Sequence, residues 1–139
     1  MAMTIHVDIV SAEEQIYSGL AEMVVAPAEE GDVGIAARHA PLLTRLKPGE
    51  VRVKVDDRET LPFFVSGGIL EVQPHVVSIL ADQALRARDL DEAAALQAKH
   101  RAEEALKNRS GNLDLAKVQR ELLAAVEQLR VLERWRRNR

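Results

Sequence analysis

Apolar and polar positions follow two different periods along the 139 residues, and the change falls within the stretch from Ser66 to Glu92. Up to Ala81 the apolar residues form short groups of period two, interrupted by Gly67-Gly68 and Pro74; beyond Asp89 they recur at helical spacing. Thr4 to Val10 predicts a half-buried strand, with Ile5, Val7 and Ile9 on one face and Thr4, His6 and Asp8 on the other. Gln15 to Ser18 and Ala21 to Ala26 predict two more strands, the second stopped by Pro27. A turn over Pro27 to Asp32 leads into Val33 to Ile35 and then a loop from Ala36 to Pro41, where the proline biases His39-Ala40 toward extended backbone. After the Pro48-Gly49 turn, Val51, Val53 and Val55 alternate with Arg52 and Lys54, and Asp56-Asp57 returns the chain into Leu61 to Val65. Gly67-Gly68 permits positive φ ahead of Ile69 to Val72, and Val76 to Ala81 closes the set. About nine short strands at close spacing predict an antiparallel sandwich or flattened barrel. No helical pattern precedes residue 89, which argues against βαβ units and their nucleotide-binding crevice.

The rest of the chain predicts two helices. Asp89 followed by Glu92 reads as a capping box, which starts the first helix at Leu90. Its expected buried face, Leu90, Ala94, Ala98, Ala102, Ala105 and Leu106, is mostly alanine, suited to close approach of a second helix. The segment from Asn108 to Asn112 breaks the pattern, with Gly111 at a C′ position and Asn112 as the next cap. From there Leu115, Val118, Leu122, Ala125, Leu129 and Leu132 form an a/d seam. Helices over 90–108 and 113–135 therefore fold back as an antiparallel hairpin. Alanines bury little surface, at about 25 cal/mol per Å², so such a hairpin is held lightly enough to open. The fold class is all-β plus α: an N-terminal antiparallel β-sandwich over 1–86 and a C-terminal two-helix arm over 87–139.

Charge divides unevenly between these parts. Residues 1–88 carry 8 Lys/Arg against 13 Asp/Glu, a balance of −5, and residues 89–139 carry 11 against 9, a balance of +2. Five arginines and one acid between Arg130 and Arg139 make the C-terminus a local basic patch. The absence of cysteine excludes disulfides and thiolate metal sites. The start has neither the basic nor the apolar region of a leader, and no apolar run approaches the roughly 20 residues that cross a bilayer. Membrane association is therefore expected only through another protein.

Candidate chemistry is sparse. His6, His39, His75 and His100 lie more than 20 residues apart and match no local metal-ligand spacing. His6 and His100 fit solvated faces and His75 a turn; His39, beside Arg38 and Pro41, fits a structural role or a binding loop. No nucleophile elbow, P-loop or acidic pair is present, and Gly67-Gly68 is too short to cradle phosphate. The basic end has three readings, a solvated helix terminus first, docking to an acidic protein surface second, and a nucleic-acid grip third. The few aromatics and the acidic sheet unit weigh against the last.

Five stretches in order resemble the epsilon subunit of a bacterial F-type ATP synthase, in proteobacterial style. They are MAMTIHVDIVSAEEQIYSG at the start, GDVGIAARHAPLLTRLKPGEV from Gly31, SGGILEVQPHVVSILADQA from Ser66, DLDEA from Asp89 and QLRVLE from Gln128. The resemblance implies the same division into sandwich and hairpin, and a non-catalytic rotor subunit that couples proton flow to ATP synthesis. It has no cofactor. Its implied partners are the gamma subunit and the c ring for the sandwich, and the catalytic α/β head for the C-terminal helix. Nucleic acid is not among them, and the implied location is peripheral, on the cytoplasmic side of the inner membrane. His39, Pro41 and Leu42 become candidate contacts of the sandwich; Arg120, Arg130, Arg134, Arg136 and Arg137 become candidates to face an acidic loop of the head and inhibit ATP hydrolysis. Some family members bind ATP through Leu/Ile-Asp-x-x-Arg-Ala at the start of the first helix. This chain reads Leu90-Asp91-Glu92-Ala93-Ala94-Ala95: Asp91 is kept, Ala94 replaces the arginine, and Arg86, Arg88 and Arg101 are off the motif's spacing. A nucleic-acid-binding coiled-coil adaptor and a small-ligand sensor are the alternatives from other classes.

Overall fold

A computed structural model describes residues 3–108 and 114–138. The alternating segments fold as ten strands: β1 (Ile5–Ser11), β2 (Gln15–Ala21), β3 (Met23–Ala28), β4 (Gly31–Ala36), β5 (Leu42–Leu46), β6 (Gly49–Lys54), β7 (Thr60–Val65), β8 (Gly68–Val72), β9 (Val76–Ala81) and β10 (Ala84–Arg86). A short 3₁₀ turn, Ala87–Asp89, joins them to α1 (Glu92–Lys107) and α2 (Leu115–Asn138).

The strands follow the order β10-β7-β6-β3-β5-β8-β9-β1-β2, with β4 paired to β3. This long sheet folds over on itself, and Val7, Ile9, Val24, Ile35, Val51, Val53, Phe63, Leu70, Val77 and Ile79 meet in one core with almost no exposure. The antiparallel expectation holds for every strand pair but one, because β1 lies parallel to β9, with Val7 opposite Val77 and Ile9 opposite Ile79. The two strands are distant in sequence, so no hairpin fixes their relative direction.

Local differences from the sequence pattern have identifiable causes. Pro27 does not stop β3. It lies between Val25, which pairs with Arg52 of β6, and Ala28, which pairs with Leu46 of β5, where the strand changes partner and a missing N–H breaks no ladder bond. Its carbonyl accepts from the Lys47 N–H at 3.0 Å. Strands β5 and β10 have no counterpart in the pattern. β5 is five residues between two prolines, and β10 is only three residues placed by its pairing to β7.

The capping box is also corrected. Asp89 belongs to the 3₁₀ turn, Leu90 is extended, and Asp91 is the N-cap, its Oδ1 accepting from the Ala94 N–H at 3.2 Å. Packing decides this, since Ala87 is 1% exposed beneath α2 and holds the turn against the sheet. Glu92, freed from the cap role, reaches Arg136 instead. The buried face of α1 runs through Ala95 and Ala102, whereas Ala94 is exposed. In α2 the expected seam buries Val118, Ala125 and Leu132, while Leu115 is exposed. Asp114 caps α2, accepting from the Lys117 N–H at 3.1 Å. Gly111 and Asn112, expected at the interhelical break, lie outside the described residues.

Candidate functional site

Alternation in β6 and β7 gives the sandwich a second, outward face. Val51, Val53, Phe63 and Val65 point into the core, so Glu50, Arg52, Pro62 and Phe64 point out, and the register sets Glu50 opposite Phe64 and Arg52 opposite Pro62. On this face α2 docks. Phe64, Ala87 and Val131 form a second apolar cluster, edged by Leu90, Ala124 and Trp135.

Beside that cluster is a group of three charges. Glu50, 8% exposed, is the buried charged residue among those described. Its Oε1 accepts from Arg134 Nη1 of α2 at 2.5 Å and from Arg52 Nη1 of β6 at 3.2 Å. A carboxylate so covered needs such partners. Two further arginines of α2 are also engaged: Arg136 Nη1 donates to Glu92 Oε2 of α1 at 2.9 Å, and Arg130 Nη1 donates to Glu127 Oε1 at 2.8 Å. Arg120 and Arg137 are exposed and have no ion-pair partner among the described residues. The five arginines chosen from sequence thus divide into Arg134, which ties the arm to the sandwich, Arg136, which ties α2 to α1, Arg130, which pairs within its own helix, and Arg120 and Arg137, which have no ion-pair partner among the described residues.

The opposite half of the sandwich leaves apolar side chains uncovered. Arg45, Ile69, Leu80 and Val10 are register neighbours across β5, β8, β9 and β1 on the outer face. Ile69 is 44% exposed, Leu80 50% and Leu43, on the same face of β5, 69%. None of these drew attention in the sequence, since a strand reads apolar on either face unless its inner set is known. Leu42, a candidate contact from sequence, turns inward and packs against the core. His39 and Pro41 sit in the loop before β5, where Arg38 has φ 67° and His39 Nδ1 lies 2.7 Å from the Ala40 carbonyl.

Several other ionisable groups make structural contacts. His6 Nε2 lies 3.0 Å from both Asp8 Oδ1 and Ser18 Oγ, a surface cluster across β1 and β2. Arg86 donates to the Ile16 carbonyl at 3.0 Å and lies over the Phe63 ring at 5.7 Å. Next to it Tyr17 has its pKa raised, first by burial and then by the charge of Glu59, with Arg86 partly opposing. Arg88 approaches Asp89 at 4.0 Å. Asp91 is occupied as the cap, so the start of α1 offers a polyphosphate no arginine from its own first turn. Among the described residues no group of three His, Cys, Asp or Glu side chains is placed to hold a metal, and no helix is long and apolar enough to cross a membrane.

A sandwich with one uncovered apolar face, carrying a folded two-helix arm by an acid–base joint, has the architecture of an interaction subunit. Family comparison agrees. Residues 4–87 match the model of the ATP synthase delta/epsilon chain β-sandwich domain, and residues 88–133 match its long α-helix domain. The chain belongs to the ATP synthase delta/epsilon family. It is 64% identical to ATP synthase epsilon chain 1 of Methylococcus capsulatus, across 100% of this chain and 99% of that one. To the epsilon chain of Alkalilimnicola ehrlichii it is 65% identical, over 96% of each. Among solved structures, a chain in the Euglena gracilis mitochondrial ATP synthase OSCP/F1/c-ring assembly aligns with TM-score 0.81 at 19% identity, over 93% of this chain and 81% of that chain. One in the Tetrahymena thermophila central stalk and c-ring aligns with TM-score 0.60 at 15% identity, over 92% and 96%. Those two likenesses concern the fold. Neither the nucleic-acid adaptor nor the ligand sensor is supported by the family or these relatives.

Proposed function

We propose that this chain is the non-catalytic epsilon subunit in the central stalk of a proton-translocating F-type ATP synthase. In this role the sandwich over 1–86 holds gamma and rests on the c ring, and the arm over 87–139 restrains ATP hydrolysis. The observation that carries the reading is the uncovered pair Ile69 and Leu80 with Leu43 beside it. A small sheet domain that leaves several large aliphatic side chains in water on one face has a surface shaped for a protein partner. Gamma is assigned to that face. The loop with His39 and Pro41 is assigned to the c ring. In this reading the subunit sits at the cytoplasmic side of the inner membrane, peripherally and only through the complex.

Inhibition is assigned to the arm's cations, Arg120, Arg130, Arg134, Arg136 and Arg137, acting on an acidic surface of the catalytic head. Charge-assisted contacts of this kind contribute roughly 1.5–3 kcal/mol each when partly desolvated. The test has two parts. Ile69→Asp with Leu80→Asp should abolish co-purification with gamma while leaving the isolated chain folded, because both side chains lie outside the core. Deleting residues 113–139 should raise ATP hydrolysis by the assembled enzyme and spare synthesis. Intact gamma binding by the double variant, or unchanged hydrolysis after the deletion, would refute the corresponding assignment.

A further inference from the structure

The geometry points to Glu50 as an internal receptor that holds the arm folded through Arg134, and to Arg52 as the built-in competitor that sets how readily the arm is released. This inference rests on the proposed role of the arm and names its regulation. Two guanidinium groups share one carboxylate oxygen, Arg134 from the arm at 2.5 Å and Arg52 from the same strand at 3.2 Å. At this oxygen two positive charges meet one negative. In the folded state Arg134 is attracted by Glu50 and repelled by Arg52; once the arm departs, Arg52 and Glu50 remain as a balanced neighbouring pair on β6. The side chain of Glu50 is 6% exposed with the arm in place, and those of Arg52 and Arg134 are 38% and 36% exposed. The shared carboxylate is therefore shielded from water while both cations keep solvent access, which suits exchange of Arg134 to another acid.

The same charge would act in both positions of the arm. Arg134 is one of the cations assigned to the catalytic head, and in the folded state Glu50 occupies it as an acidic head surface would. Two parallel contacts extend the arrangement, since Arg136 is held by Glu92 of α1 and Arg130 by Glu127 of its own helix. Of the three, the Glu50 contact alone ties the arm to the sandwich, so it controls docking and the others travel with the arm. The apolar cluster of Phe64, Ala87 and Val131 supplies adhesion to the folded state. Arg52 keeps that state from being locked.

The two neighbours on β6 therefore have opposite effects. Glu50→Gln leaves Arg134 facing Arg52 with no anion between them, so docking weakens and more arm is released. Arg52→Gln removes the repulsion and leaves a one-to-one Arg134–Glu50 pair, so docking tightens. No composite of surface loosening or general destabilisation predicts opposite signs for two residues two positions apart on the same strand face.

The chain has no cysteine, so Thr60→Cys and Asn138→Cys admit a pair of labels whose separation reports docking in the isolated full-length protein. Glu50→Gln is expected to shift the ratio of released to docked arm upward by roughly tenfold or more, and Arg52→Gln to shift it downward. Arg134→Gln reads the same contact from the arm side and should also release it. In the assembled enzyme Glu50→Gln should deepen inhibition of ATP hydrolysis, whereas Arg134→Gln should not, having lost the cation. Unchanged label separations in Glu50→Gln and Arg134→Gln, or shifts of the same sign in Glu50→Gln and Arg52→Gln, would overturn the latch. Label shifts as expected with no change in hydrolysis would leave the latch standing and remove the inhibitory role on which its purpose depends. If Glu50→Gln fails to fold by circular dichroism, Arg134→Gln and Arg52→Gln still decide the outcome through their opposite signs.

Discussion

Val131 of α2 packs against Phe64 of β7 with no exposure of either side chain, and this contact is the apolar half of the joint between arm and sandwich. Phe64 is the outward neighbour of Phe63 and Val65, which point into the sandwich core. Two hydrophobic clusters therefore meet back to back through one strand. Val131→Ala removes two buried methyl groups, worth about 1.5 kcal/mol, and should raise the released fraction of the arm roughly tenfold. Limited proteolysis of the arm, with the sandwich's own unfolding midpoint unchanged, is the measurement; an equally docked arm would show that Phe64 contributes no adhesion.

Among the described residues, the core of the sandwich contains none from the arm. Residues 1–86 should therefore fold alone and retain gamma binding. Cutting the chain there also uncovers Phe64, which the intact protein keeps at 0% exposure. The fragment is expected to associate at high concentration, and Phe64→Ser should restore a monomer by analytical ultracentrifugation without weakening gamma binding. A fragment that fails to fold, or folds without binding gamma, contradicts the division at residue 86.

Gly67 and Gly68 both have positive φ, 122° and 139°, but their surroundings differ. A Cβ on Gly68 would lie 2.1 Å from the Leu80 carbonyl oxygen, whereas one on Gly67 would meet nothing closer than the Leu46 oxygen at 3.4 Å. Gly67→Ala adds backbone strain of about 1–3 kcal/mol. Gly68→Ala adds the clash to that and should prise β8 from β9, costing more than about 4 kcal/mol. Urea denaturation of the two variants should rank them in that order by a wide margin, and equal midpoints would refute the steric argument.

At the start of α1 the side chain of Asp91 is engaged in capping, and Ala94, at the place where nucleotide-binding relatives are expected to carry arginine, is exposed and offers no donor. Loss of one charge-assisted contact weakens a polyphosphate complex by roughly 1.5–3 kcal/mol, or about 10- to 150-fold. Arg86 does not compensate, since it is held by the Ile16 carbonyl and the Phe63 ring. Calorimetric titration of the isolated chain with ATP should show no micromolar binding, and Ala94→Arg should strengthen whatever weak binding exists. Saturable micromolar binding by the unaltered protein would refute this expectation.

Period alone determined the two-part plan of the chain. Period-two alternation before residue 81 and helical spacing after residue 89 identify a sheet unit and an arm because a strand and a helix each expose one face per period, and burial selects that face locally. The motifs carried the family as well, being contiguous in sequence. What the tertiary structure alone decided are relations between residues far apart in the chain. Register across β6 and β7 put Glu50 beside Phe64, and docking of α2 brought Arg134 to Glu50, 84 positions away. The parallel pairing of β1 with β9 and the uncovered pair of Ile69 and Leu80 depend equally on which strands become neighbours. Even the cap of α1 moved from Asp89 to Asp91, because burying Ala87 under α2 outweighed a local hydrogen-bonding preference. Hydrophobic period is a property of neighbours along the chain, whereas a shared carboxylate or an open sheet face arises only when distant segments meet.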